Sequence, residues 1–285
     1  EWVESSVENK EHFLKERMLF DVTLFSDGSN IQRKPKGHLY LYPLIAIAAM
    51  LAIVFVMDLP HMHKPKQQLS QTIRIPAGQR AQMDLPDGSI VWLNSQTTLT
   101  YDENFGKKDR KVTLDGEAYF EVAHNKEIPF YVQTENIKVQ VTGTKFDVCS
   151  YKGSNSFIAR LIEGSINLLT NNAKEEKPIT SLTKGKYFSM ENGKYKTGEM
   201  SSNNALAWMQ GIYYFDDVPF KELLDKIALY YNYKITVKNP KILENYRCTG
   251  KFKDLDGIEH ILKVIQKDHP FKYNIDNEHN KITIE

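Results

Sequence analysis

The sequence has little cysteine: two residues in 285, Cys149 and Cys248. That count excludes a disulfide framework and leaves room for one bridge at most. Each cysteine sits in a strand-like run, where any small apolar residue would serve. A charge surplus is also missing, with 37 Lys and Arg against 36 Asp and Glu. Proteins that grip phosphates carry a basic stripe, so no direct nucleic-acid partner is expected. The familiar site motifs are absent as well. There is no phosphate-cradling loop, dinucleotide glycine set, H-E-x-x-H, C-x-x-C or G-x-S-x-G elbow, so the motifs imply no cofactor, no metal and no enzyme. The carboxylates of "GEAYFEV", Glu117 and Glu121, share one strand face, and paired carboxylates serve glycosidases. Solvated or Lys-paired acids give the same pattern. His124, Glu121 and Asp147 have the residue types of a triad without a nucleophile context.

What the chain does contain is one long apolar run, "LYLYPLIAIAAMLAIVFVM", Leu39–Met57, with no charge. At about 1.5 Å per residue it is roughly 28 Å long, close to the hydrocarbon thickness of a bilayer. Tyr40 and Tyr42 suit an interface, and Pro43 suits a first helical turn. The run is too far from the start of the chain to be a signal peptide. It predicts a multidomain membrane protein with one transmembrane helix at 39–57. Arg33, Lys34 and Lys36 before the run, against Lys64 and Lys66 after it, lean toward a cytoplasmic N-terminus.

Around this run the chain divides. Residues 1–37 carry a short helical signal, with a capping-box pattern at Ser5–Glu8 and Phe13, Leu14 and Met18 at helical spacing. The chain opens at Glu1 without a Met, which suggests that this helical unit is partial. Residues 58–71 read as a linker, in which His61 and His63 lack a third ligand. Residues 72–199 show successive short strands separated by turn signals at Gly88, Gly116, Gly143, Gly164 and Gly185, so an all-β domain, solenoid-like or sandwich, is expected. Residues 205–285 read strand–helix–strand twice. Phe220, Leu223, Leu224, Ile227 and Ala228 form one helical stripe, and Ile258, Ile261, Leu262 and Ile265 the other. This predicts a small βαβ-like α+β domain with one shared sheet, whose edges at "GIYYFDD" and the terminal "KITIE" are open to a partner strand.

The blocks "PDGSIVWLN" (86–94), "VTLDGEAYFEV" (112–122), "PFYVQT" (129–134) and "VTGTKFDV" (141–148) resemble, in this order, the periplasmic domain of FecR-family anti-sigma factors. Residues 205–285 are similar to the secretin-and-TonB N-terminal fold, and "EWVESSVENKEHF" resembles the end of a sigma-binding helical domain. The resemblance implies a single-pass protein of the bacterial inner membrane. Inside, Trp2, Phe13, Leu14 and Met18 would hold an extracytoplasmic-function sigma factor. In the periplasm, the strand holding Tyr213 and Phe215 would meet the signalling domain of a TonB-dependent receptor, the two residues being either its outer and inner residues or both core. Transcription of uptake genes would follow. In some members the bond matching Gly143–Thr144 is cut by the protein itself through an N-to-O acyl shift. Here the pair reads either as that site or as a bend with Thr144 bonded locally. Two other readings stay open: a membrane-anchored periplasmic binding or envelope-assembly module, and a hydrolase built on Glu117 and Glu121.

Overall fold

The computed structural model describes residues 2–26, 46–50, 53, 69–172, 176–200 and 203–285. The chain divides into two units, 1–67 and 68–285. In the first, helix α1 (Val7–Ser26) is capped by Ser6, whose hydroxyl accepts the Asn9 N–H at 3.2 Å. The cap is therefore one residue later than the Ser5–Glu8 pattern suggests; the Ser5 hydroxyl instead donates to the Trp2 carbonyl.

Among the described residues no helix is long and apolar enough to cross a membrane. This corrects the expected transmembrane fold: the described structure is mainly strand, α1 is polar, and the two helices of the C-terminal module pack inside it. Within Leu39–Met57, residues 46–50 and 53 are described as helical. The rest of that run, together with His61 and His63, lies outside the described residues.

The second unit begins with two β-sheets that share one core. The first runs, in spatial order, β1 (Ser70–Arg74), β4 (Thr98–Asp102), the first half of β5 (Arg110–Glu121), β6 (Phe130–Gln133), β7 (Ile137–Val141), β10 (Ser165–Thr170) and β11 (Pro178–Thr183). The second runs β2 (Ala81–Asp84), β3 (Ile90–Leu93), the second half of β5, β8 (Lys145–Ser150), β9 (Ser156–Glu163), β12 (Lys186–Glu191) and β13 (Lys194–Glu199). The order rises steadily in both sheets, because the chain lays down strands in one sheet and then crosses to the other. The result is a sandwich built by stacking.

Period-2 alternation sends Val91 and Leu93, Val112 and Leu114, Ala118 and Phe120, and Phe146 and Val148 into the common core. β5 can serve both sheets because it turns at Gly116. There φ is +135°, and an added Cβ would lie 2.4 Å from Thr97 Oγ1 and 2.6 Å from Thr97 Cα. Only glycine fits at that contact.

Arg110 shares the inward parity of Val112 and is buried. Its guanidinium donates to the carbonyls of Ala123, Asn125 and Ile128 and to the Asp87 carboxylate at 3.2 Å. It thus fixes the connection from β5 to β6, a segment whose carbonyls have no ladder of their own.

After a 3-10 helix (Asn203–Gln210), the C-terminal module comprises β14 (Ile212–Pro219), α2 (Phe220–Tyr231), β15 (Lys234–Val237), β16 (Arg247–Lys253), α3 (Gly257–Asp268), β17 (Tyr273–Asp276) and β18 (Lys281–Ile284). Both helices bury the predicted stripes, with Tyr230 taking the place expected of Ala228. The strands do not share one sheet. β14 pairs with β16, while β15, β18 and β17 form a separate three-stranded sheet. The terminal "KITIE" strand, β18, is the middle strand of that sheet, paired on both sides, so it offers no edge.

Candidate functional site

The outward face of the second sheet is not solvated. A cross-strand row runs Trp92, Tyr119, Asp147, Arg160, each directly opposite the next. The C-terminal module covers this row: Tyr119 belongs to the module's core, and Trp92 and Ile162 pack against it. Residues that simple alternation would leave in water are therefore enclosed.

At the centre lies a buried polar cluster. Arg160 Nη1 donates to Asp147 Oδ2 at 2.5 Å and stands 3.8 Å from Glu117 Oε1. Glu117 Oε2 accepts from Asn94 Nδ2 at 2.6 Å and from the Tyr230 hydroxyl of α2 at 3.4 Å. Two carboxylates thus face one guanidinium. Burial pushes the Asp147 carboxyl up to about 7, although Arg160 pulls it down. Asp147 Oδ1 lacks a well-formed hydrogen bond, as does the Trp208 indole N–H. Cys149 lies beside the cluster, and burial raises its thiol well above its ordinary value, so it is no activated nucleophile.

The Asp147 shift has a measurable consequence. The folded group holds its proton up to about pH 7, whereas the unfolded one releases it near about pH 4. Stability should therefore fall as pH rises from about 4 to 7 and flatten above. Urea denaturation across this range should show the slope, and Asp147→Asn should remove it.

The module is fastened at one end of α2. The Ser95 hydroxyl donates to the Tyr230 carbonyl at 3.0 Å, Gln96 Nε2 donates to the Leu229 carbonyl, and Gly78 N–H donates to the Tyr230 carbonyl at 2.9 Å. The last carbonyls of a helix lack intrahelical partners, and here the β domain supplies them. Arg80 adds an ion pair to Asp254 at 3.1 Å. Between module and sheet lies a cleft of about 220 Å³, bordered by Glu117, Ile158 and Arg160 on one side and by Trp208, β14 and Lys226 on the other.

Gly143-Thr144 lies where the chain crosses from β7 in the first sheet to β8 in the second. An added Cβ on Gly143 would stand 2.4 Å from His124 Nδ1 and 2.8 Å from His124 Cα, so the crossing requires a glycine for close approach. Thr144 is buried, and its hydroxyl donates to the Ser165 carbonyl at 3.0 Å. The Thr97 hydroxyl makes the matching bond to the Glu117 carbonyl, at 3.1 Å, beside Gly116. The same device serves two crossings, which favours the bend. The expected mass of purified protein is that of the unbroken chain; a fragment ending at Gly143 would instead identify Thr144 as the attacking group.

The remaining candidates disperse. Tyr213 and Phe215 are two apart, share one strand face and are both buried, rather than outer and inner. Tyr213 stacks on Tyr230 with centroids 4.2 Å apart. As contacts for a receptor they are interior. Trp2, Phe13, Leu14 and Met18 are all exposed. Glu121 lies 4.0 Å from Lys145, while Glu117 is held under the module. His124 packs on Gly143 and Asp147 pairs with Arg160, so no triad assembles. Sequence reasoning missed Arg160, Asn94, Tyr230 and Trp208; only the strand register brings them together.

Comparison with known proteins places this architecture. The "FecR protein" family matches residues 71–167, and the "FecR, C-terminal" family matches residues 212–284. No curated protein matches the chain. Two crystal structures of proposed anti-sigma factors from Parabacteroides distasonis ATCC 8503 share the fold. One aligns with a TM-score of 0.65 and the other with 0.66, each at 24% identity. They cover 76% and 75% of this chain and 98% of their own.

Proposed function

Because the chain belongs to the FecR family, we propose that it is an anti-sigma factor whose partner is an extracytoplasmic-function sigma factor. The observation that carries the reading is the tandem of family domains over 71–167 and 212–284, in a fold shared with proposed anti-sigma factors. A second feature supports it. α1 carries Phe13, Leu14 and Met18, which are 42, 51 and 68% exposed, so apolar side chains stand ready for a helical partner. Covering the exposed half of one such side chain contributes on the order of 1 kcal/mol. The unit 68–285 takes the input, from the signalling domain of a TonB-dependent receptor, and release of the sigma factor then permits transcription of uptake genes.

The test is co-purification of the full chain with a candidate sigma factor. Leu14→Asp with Met18→Asp should weaken the complex at least tenfold and leave the melting of the β domain unchanged. Undiminished binding by that variant would remove α1 from the interface, and no binding by the unaltered chain would remove the sigma factor.

A further inference from the structure

Each half of the second unit has a core of its own. The sandwich core is built from residues between Ile73 and Met190 and takes nothing from the module. The module core takes three side chains from the sandwich: Tyr119, with Trp92 and Ile162 packed against it. Lifting the module from the sheet would therefore leave both cores closed. Hydrogen bonds carry much of the rest of the junction, from Gly78, Ser95 and Gln96 to the last carbonyls of α2, with the ion pair of Arg80 and Asp254 beside them. Water replaces such bonds on release, so each favours the docked form only modestly. Polar junctions of this kind permit relative motion of the parts they join.

The polar cluster works against docking. Asp147, Arg160, Glu117 and Asn94 all belong to the sandwich, and their mutual bonds do not need the module. The module takes water away from these ions and returns one hydroxyl, that of Tyr230, at 3.4 Å from Glu117. Removing paired charges from water is costly unless new partners repay it. Two polar atoms are left without a well-formed hydrogen bond at this junction, Asp147 Oδ1 and the Trp208 indole nitrogen. About 220 Å³ between module and sheet also stays unfilled, whereas protein interiors hold few voids larger than a water molecule. Release hydrates the ions and satisfies both orphaned atoms.

We propose that the module, residues 203–285, is a releasable cap: it leaves the second sheet as a folded body and uncovers Trp92, Tyr119, Ile162 and the Asp147–Arg160–Glu117 cluster. The docked form is the closed one, in which the chain covers an apolar and charged face of its own. Such an element has two discrete arrangements, and anything that binds the uncovered face or the freed module shifts it toward the open one. This goes beyond the sigma-factor reading and does not depend on it, since α1 belongs to the other unit.

The two cysteines separate release from unfolding. Cys149 borders the cleft under the module, and Cys248 lies in the module core. With the module in place, burial keeps the Cys149 thiol protonated, so its labelling waits for release. N-ethylmaleimide added to the full chain, with each site followed by mass, should modify Cys149 at least tenfold faster than Cys248. The Cys149 rate should also rise less steeply with urea, because release exposes less surface than unfolding. Arg80→Gln and Gln96→Gly each remove one tie to the module without entering either core. Each should speed Cys149 labelling at least fivefold and leave the far-UV circular dichroism unaltered. Equal rates and one urea slope at the two cysteines would overturn the proposal. So would a Cys149 rate that neither urea nor the two variants change, since the reagent would then reach the thiol with the module still docked.

Discussion

Arg160→Leu should destabilise the protein by about 3–5 kcal/mol at pH 8, since removing one partner of a buried ion pair strands the other. Here two carboxylates are stranded, Asp147 and Glu117, beneath a module that excludes water. The loss should be smaller at pH 5, where Asp147 carries its proton and is not left as an unpaired charge. Adding Asp147→Asn to Arg160→Leu should recover part of the loss at pH 8 and little at pH 5. Denaturant unfolding of the four chains at the two pH values gives the cycle directly. A uniform loss at both pH values would mean that packing of the Arg160 stem, and not its charge, holds the interface.

A second large effect is expected at Gly116→Ala. The new Cβ meets the side chain and the Cα of Thr97 at 2.4–2.7 Å, and φ there is +135°. Both overpacking and backbone strain apply, so a loss of about 4 kcal/mol or more is expected, the range of exceptional single substitutions. Thr97→Ala in the same chain should restore little, because the Thr97 Cα itself stands 2.6 Å from the added methyl group. Gly193→Ala is the control: its φ is also positive, but nothing lies within 4 Å of the added atom. It should cost only the left-handed penalty, about 1–2 kcal/mol. Equal losses at both positions in thermal unfolding would show that β5 can straighten between the sheets.

Much of this architecture was legible in the chain because local periodicity is local physics. Ile258, Ile261, Leu262 and Ile265 recur at helical spacing and are buried on one side of α3. Arg110 keeps the parity of Val112 and Leu114, but a cation among Lys107, Lys108 and Lys111 carries no local sign of being the buried one. Sheet membership was not legible: the alternation of β7 and β8 is the same whether they stay in one sheet or cross at Gly143. The polar cluster was hidden for a related reason. Alternation distinguishes two faces of a strand but not whether the second face is later covered, and Asp147 and Arg160 become buried only when the module docks. The apolar run at 39–57 had the length and composition of a span, yet no described helix has both.

The steadily rising strand order implies a particular mode of growth. Each new pair of strands bonds only to the strand laid down last in its own sheet, so the size of the sandwich is set by repetition and not by closure into a barrel. The terminal hairpin of β12 and β13 can be trimmed or extended without rewiring anything already laid down. β5, held by neighbours on both sides in both sheets, is the keel from which the stack extends in two directions.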